Sequence, residues 1–160
     1  MDINCTISAR RVTISGIVQG VGFRPFVFQL AHLYNFNGEV SNTAQGVTLV
    51  VEGTPEKIDA FCQDIVKKKP PLSSISGLES TRIPVRGYVD FTIRSSSSSS
   101  SGGEGERSAL ISPDVSICED CLKEMTDATD RRFEYPFINC TNCGPRYTII
   151  KDIPYDRPQT

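Results

Sequence analysis

Two groups of residues in this chain have the types and spacing to do chemistry. The first is the run Gly16-Ile17-Val18-Gln19-Gly20-Val21-Gly22-Phe23-Arg24-Pro25. Gly20 and Gly22 can adopt backbone angles closed to other residues and let the chain come close to a ligand, so that several N–H groups can point inward together. Arg24 adds a permanent charge with a planar fork of donors that fits two oxygens of one phosphate group. A helix starting here adds its unpaired N–H groups and the positive end of its dipole. Pro25 suits the first helical position, where a missing N–H costs nothing. The expected chemistry is phosphate binding by Gln19, Gly20, Val21, Gly22, Phe23 and Arg24. A tight turn with a solvated arginine is the plain alternative, because glycine spacing alone is weak evidence. Two other phosphate motifs do not fit: the nucleoside-triphosphate loop needs Gly-Lys-Ser or Gly-Lys-Thr, and the dinucleotide turn needs a third glycine, where this chain has Arg24 and Pro25.

The second group is Cys118-Glu119-Asp120-Cys121 and, eighteen residues on, Cys140-Thr141-Asn142-Cys143-Gly144. Two C-x-x-C pairs at this spacing form a zinc pattern. Each pair can bring both thiolates to one metal, and four thiolates close a tetrahedron that leaves no position for substrate. Cys118, Cys121, Cys140 and Cys143 are therefore expected to hold a structural zinc ion, with Gly144 relieving the turn after the last of them. Lys123, Arg131, Arg132 and Arg146 lie near in sequence to offset the thiolate charge. Phe133, Tyr135, Phe137 and Ile138 are expected to form the small core of this metal-supported segment. Paired disulfides and a redox C-x-x-C are the alternatives. The lack of an export signal weighs against the first, and the lack of a thioredoxin-like strand-helix context against the second. Cys5 and Cys62 stand apart, and Cys62 falls on an apolar helix stripe, which reads as core.

These groups must be positioned by regular elements. Val12, Ile14 and Ile17 end an apolar strand-like run before the glycines, and Phe26, Val27, Leu30, Ala31 and Tyr34 recur at helical spacing after them. Residues 37–41 and 47–52 read as strands joined by a five-residue loop, Asn42-Thr43-Ala44-Gln45-Gly46. Thr54-Pro55-Glu56 supplies an N-cap, a first-position proline and a first-turn acid. Ile58, Phe61, Cys62 and Ile65 follow on one helical face. Residues 75–83 and 88–93 supply the closing strand or strands. The order β-α-β-β-α-β predicts an α+β, ferredoxin-like sandwich with both helices on one face of a four-stranded antiparallel sheet. If the third strand lies between the first two, these end at one edge, and Asn42 falls beside the phosphate cradle. Seven serines from Ser95 to Ser101 and the glycines after them read as a flexible linker. The expected division is 1–94, 95–110 and 111–160.

With 160 residues, 38% hydrophobic and 22% charged, the composition is that of a soluble globular protein of one domain or two small ones. No apolar run is long enough for a membrane span, and residues 1–11 hold no apolar core of the kind a signal peptide needs, so a cytoplasmic location is expected. A net charge of −2 lowers the case for a nucleic-acid or anionic-membrane partner. Arg131-Arg132-Phe133-Glu134-Tyr135 interleaves basic and aromatic residues, but Asp127, Asp130 and Glu134 make it a solvated charged face.

The string from Gly16 to Arg24 resembles the signature of the acylphosphatases, small enzymes that hydrolyse acyl phosphates, and the resemblance covers residues 7–95. It implies their ferredoxin-like fold and makes Arg24 and Asn42 the catalytic pair, Asn42 as the asparagine that holds the attacking water. The carry-over is chemically sound: an amide orients water by donating and accepting at once, while Arg24 and the loop amides hold the phosphoryl group in line. Read without that context, Asn42 is equally a turn former at a strand end, and His32 reads as an ordinary helix residue.

The second half carries its own resemblance. Ile111-Ser112-Pro113-Asp114, the two cysteine pairs, Asp130-Arg131-Arg132-Phe133, Tyr135-Pro136-Phe137-Ile138-Asn139 and Pro154-Tyr155-Asp156-Arg157 resemble the N-terminal part of the HypF family, carbamoyltransferases of [NiFe]-hydrogenase maturation. The resemblance implies carbamoyl phosphate as the acyl phosphate, and a HypE-like maturation protein as the partner that receives the carbamoyl group destined for cyanide ligands. The sequence stops at Thr160, before the family's adenylating and transfer domains, so complete carbamoyl transfer is expected to need domains beyond it. Two function classes stay open: a hydrolase of carbamoyl or other acyl phosphates, and a non-catalytic module in which the cradle docks an anion and the zinc segment organises a protein partner.

Overall fold

The computed structural model describes residues 7–94, 110 and 115–144. Cys5, most of the serine-rich linker, Arg146 and the Pro154-Tyr155-Asp156-Arg157 string lie outside the described residues. The elements are β1 (Ser8–Ile17), α1 (Phe23–Leu33), β2 (Asn37–Thr43), β3 (Gly46–Gly53), α2 (Pro55–Lys68), β4 (Ser74–Ile83), β5 (Phe91–Ile93) and α3 (Glu119–Thr126). They form an acylphosphatase-like α+β sandwich followed by a small cysteine-centred unit.

The sheet runs β4-β1-β3-β2-β5. β3 is antiparallel to both β1 and β2, so β1 and β2 are parallel to one another and end at the same edge. Val47 of β3 pairs with Ile14 of β1 on one side and with Asn42 of β2 on the other. The sheet has one strand more than the four-stranded expectation. β5 is short and joins β2 in parallel, with Phe91, Thr92 and Ile93 beside Gly38, Glu39 and Val40. Its anchor is Glu52, a buried carboxylate that accepts the backbone N–H groups of Arg86 (2.5 Å), Gly87 (3.1 Å) and Tyr88 (3.0 Å). Backbone donors of this kind satisfy a carboxylate that burial would otherwise penalise.

Alternation decides which faces are covered. Val12 and Ile14 of β1 and Leu49 and Val51 of β3 point inward, and Val27, Leu30, Ile58, Phe61 and Ile65 of the two helices meet them in one core. Each such side chain contributes about 1.5–3 kcal/mol when fully buried. α1 packs on β2 and β5, α2 packs on β3, and the helices touch each other. Phe61 sits edge-on to both Phe36 (5.2 Å between centroids) and Tyr34 (5.5 Å). Cys62 is half-buried against this core, and burial pushes its thiol up, the behaviour of an inert packing group.

Helix α2 starts as its sequence predicts: the Thr54 hydroxyl accepts the Lys57 N–H at 3.5 Å and Pro55 is the first residue. Helix α1 begins two residues earlier than Pro25 suggests, with Phe23 first and Pro25 third. The proline remains harmless there because first-turn N–H groups have no partner within a helix. No helix among the described residues is long and apolar enough to cross a membrane.

Candidate functional site

The cradle joins the end of β1 to the start of α1. Just before it, the pairing of β1 with β4 slips in register between Ser15 and Gly16, a bulge that re-aims the strand end. Val18, Val21 and Phe23 are buried and pin the cradle to the core, while Gly20, Gly22 and Arg24 between and beyond them are half-buried. Gly22 is the N-cap of α1 with φ +74, in the left-handed region where glycine carries no penalty. No side chain caps this helix start. Arg24, the second residue of the helix, is half-buried.

Gln19 has a place that its sequence position did not reveal. Its side chain is 2% exposed and its Nε2 donates to the carbonyl oxygens of Thr43 and Gly46, each at 2.7 Å. The amide thus ties the cradle to the β2–β3 turn. The signal available in sequence was the position itself: an amide directly after the apolar Ile17-Val18 pair follows the strand into the fold, where a buried amide must find polar partners.

Asn42 is also placed differently from the expected five-residue loop. β2 continues to Thr43 and β3 resumes at Gly46, so the turn is Ala44-Gln45 and Asn42 is a paired strand residue, 3% exposed. The cross-strand pairing with Val47 extends the ladder through it. The parallel arrangement of β1 and β2, with the Gln19 bonds, brings the end of the Asn42 strand and the cradle to one sheet edge. His32 is an exposed helix residue packed edge-on to Phe28 at 4.4 Å between ring centroids.

The cysteines form a second centre. The four Sγ atoms of Cys118, Cys121, Cys140 and Cys143 all lie within 4.8 Å of one another. Measured separations are 3.5 Å for Cys118–Cys140, 3.7 Å for Cys121–Cys143 and 3.8 Å for Cys140–Cys143. A tetrahedral zinc ion with Zn–S bonds of about 2.3 Å requires sulfurs roughly 3.8 Å apart, so the residues fit such an ion. A disulfide needs about 2.05 Å, and all four cysteines are free thiols. Cys118 is the N-cap of α3 and Cys121 lies in its first turn, while Gly144 N–H donates to the Cys140 carbonyl at 2.8 Å to close the second knuckle. Burial pushes the Cys121 and Cys140 thiols up. At Cys143 burial acts the same way but is outweighed by the Cys140 N–H on its sulfur (3.3 Å) and by neighbouring thiols, which lower it. A cation entering here displaces protons.

The expected aromatic core of this unit is corrected. Ile138 is buried, but Phe133, Tyr135 and Phe137 are 42%, 51% and 75% exposed. The centre is occupied instead by Cys121, Cys143 and Ile138, with Val115, Ile117 and Met125 packed around them. The four sulfurs converge at the middle of this small unit, and the rings lie at its surface. Arg132 pairs with Glu124.

With this geometry in view, similarity to known proteins can be placed on it. Residues 10–93 match the acylphosphatase family and residues 117–150 match the HypF finger. A carbamoyltransferase HypF of Synechocystis is 46% identical over 149 residues, 93% of this chain and 19% of that protein. An acylphosphatase of Treponema denticola is 35% identical over 89 residues, 55% of this chain and 94% of that protein. A crystal structure of full-length HypF in a phosphate- and nucleotide-bound form superposes with a TM-score of 0.87 at 47% identity, covering 100% of this chain and 20% of that one. The chain thus spans about a fifth of the length of the HypF relatives it matches. Its cradle and sheet on one side and its four-cysteine unit on the other make it a member of the acylphosphatase family, in the form found with a HypF finger in the N-terminal part of HypF carbamoyltransferases.

Proposed function

We propose that this chain hydrolyses acyl phosphates at the cradle and that carbamoyl phosphate is the substrate, the first step of a HypF-type carbamoyl transfer. The observation that carries the proposal is the Gln19 strut, which fastens the cradle to the turn one residue beyond Asn42. In the proposed reaction the backbone N–H groups of residues 19–24 and the Arg24 guanidinium hold the three phosphoryl oxygens, and Asn42 orients a water in line with the acyl oxygen. The water oxygen forms a bond to phosphorus as the bond from phosphorus to the acyl oxygen breaks. Carbamate leaves with that electron pair, and the water proton passes to a phosphate oxygen. No general base is required, because a carboxylate-like leaving group departs readily and the donors offset charge on the phosphoryl oxygens.

The division into residues 1–94, a linker over 95–110 and a finger segment over 111–160 belongs to the same proposal, as do zinc as the metal of the finger, a cytoplasmic location and delivery of the carbamoyl group toward a HypE-like partner in hydrogenase maturation. Zinc at Cys118, Cys121, Cys140 and Cys143 supplies cohesion and no chemistry, since all four positions of a tetrahedral ion are taken by sulfur.

The test is phosphate release from carbamoyl phosphate and acetyl phosphate by the purified chain, beside Arg24→Ala and Asn42→Ala. Release by the wild type, lowered about a hundredfold or more by either substitution, is the expected result. Equal release by wild type and variants would overturn the assignment. Phosphate binding without turnover would make the chain a non-catalytic anion-docking module.

A further inference from the structure

The second cysteine knuckle lies against the cradle. Gly144 is buried, with φ +69, and a Cβ built on it would stand 1.5 Å from the Gly20 carbonyl oxygen and 2.7 Å from the carbonyl carbon. On the other side, a Cβ built on Gly22 would stand 2.9 Å from the Thr141 carbonyl oxygen and 3.5 Å from Asn142 Oδ1. Two glycines of the cradle, at φ +71 and +74, are thus in backbone contact with Thr141, inside the second cysteine pair, and Gly144, just after it. Asn142 Nδ2 also donates to Asp120 Oδ2 at 2.8 Å, linking the two C-x-x-C segments beneath the contact.

This arrangement answers a local weakness. The N-cap of α1 is a glycine with no capping side chain, so the backbone bond from Phe26 N–H to the Gly22 carbonyl, at 3.1 Å, closes the first turn without a side-chain tie to the loop before it. Gln19 braces the cradle on the β2–β3 side. The knuckle braces the other side, and the shape of the knuckle depends on the closure of four sulfurs around one point. A shift of a few tenths of an ångström in Gly20 or Gly22 re-aims donors whose value to an anion falls steeply with misalignment.

We propose that the second knuckle is a positioning element of the anion cradle: Gly144 against Gly20 and Thr141 against Gly22 hold the loop in its binding shape. Metal occupancy of the four cysteines thereby sets the affinity of the cradle for phosphate. The inference rests on the cradle being the anion site, as proposed above. Gly144 acts through Gly20 and touches no substrate.

The experiment titrates inorganic phosphate into the full chain by calorimetry in five forms: zinc-loaded wild type, zinc-loaded Gly144→Ala, zinc-loaded Arg24→Ala, wild type stripped with a chelator, and the stripped protein returned to zinc. Far-ultraviolet circular dichroism and thermal melting record whether the sheet domain is folded in each. The expected result is phosphate binding about tenfold weaker, about 1.4 kcal/mol, in Gly144→Ala and in the stripped protein, with the sheet intact. Zinc return restores the stripped protein. If both bind phosphate as loaded wild type does while Arg24→Ala loses binding, the coupling is overturned and the anion site stands. If loaded wild type binds no phosphate, both fall. Should Gly144→Ala fail to fold, the stripped and restored wild type decides alone: unchanged affinity overturns the coupling, and reversible loss supports it.

Discussion

Gln19 illustrates how one buried amide can organise a site without facing it. Its Nε2 donates at 2.7 Å to the carbonyls of Thr43 and Gly46, the pair that closes the β2–β3 turn, from the loop proposed to carry the anion donors. Gln19→Leu keeps the volume and removes both donors. A buried carbonyl deprived of its partner costs about 1–3 kcal/mol, so a fall in urea-denaturation stability of that order is expected. Phosphate release should fall with it, because the Asn42 strand end is no longer tied to the cradle. Unchanged stability and turnover would show that the tie is dispensable. The Glu52 carboxylate is the structural counterpart at the opposite end of the sheet, turning three consecutive backbone N–H groups inward so that β5 can reach β2.

At the level of elements, the two helices are joined by more than apolar packing. Asp64 of α2 accepts from Lys68 Nζ at 2.8 Å and from the Tyr34 hydroxyl, just past the end of α1, at 2.9 Å. The Lys68 bond first and the Tyr34 bond second hold the Asp64 carboxyl below its ordinary value of 3.8. A group whose value is lowered by folding contributes stability above its unfolded value, and that contribution is lost as pH falls through the folded one. Asp64→Asn should therefore melt below wild type at pH 7, with the difference shrinking as pH drops below about 4. A constant gap across thermal melts from pH 7 to pH 2 would exclude the linkage. Tyr34 belongs to the same tie: the Asp64 bond raises its hydroxyl, so its share is present at neutral pH and is lost only in strong alkali.

For the molecule as a whole, the question is what makes so small a second unit hold together. Its buried residues are few, and two of the three at its centre are cysteines. Such a unit draws its cohesion from metal binding rather than from apolar area. The reduced chain is expected to retain about one zinc ion, by metal analysis, and Cys121→Ser to lose most of it. Absence of bound metal in the reduced wild type would remove the four-cysteine assignment. The second knuckle rests on Gly20 and Gly22, so the four-cysteine unit and the sheet share one surface.

Sequence by itself determined what depends on neighbours in the chain. The periodicities of α1 and α2, the Thr54 cap, the glycine-bearing turn before α1 and the spacing of four cysteines are local patterns, and the elements follow them. The β-α-β-β-α-β order also carried the prediction that β1 and β2 end at one edge. Tertiary structure decided what depends on partners distant in sequence. It carried Asn42 into a strand, directed Gln19 to Thr43 and Gly46, let Glu52 capture residues 86–88 to add β5, and left Phe133, Tyr135 and Phe137 exposed. The physical reason is common to all of these. An amide, a carboxylate or an aromatic ring is satisfied by whichever group the folded chain brings near, and local periodicity carries no record of which group that is.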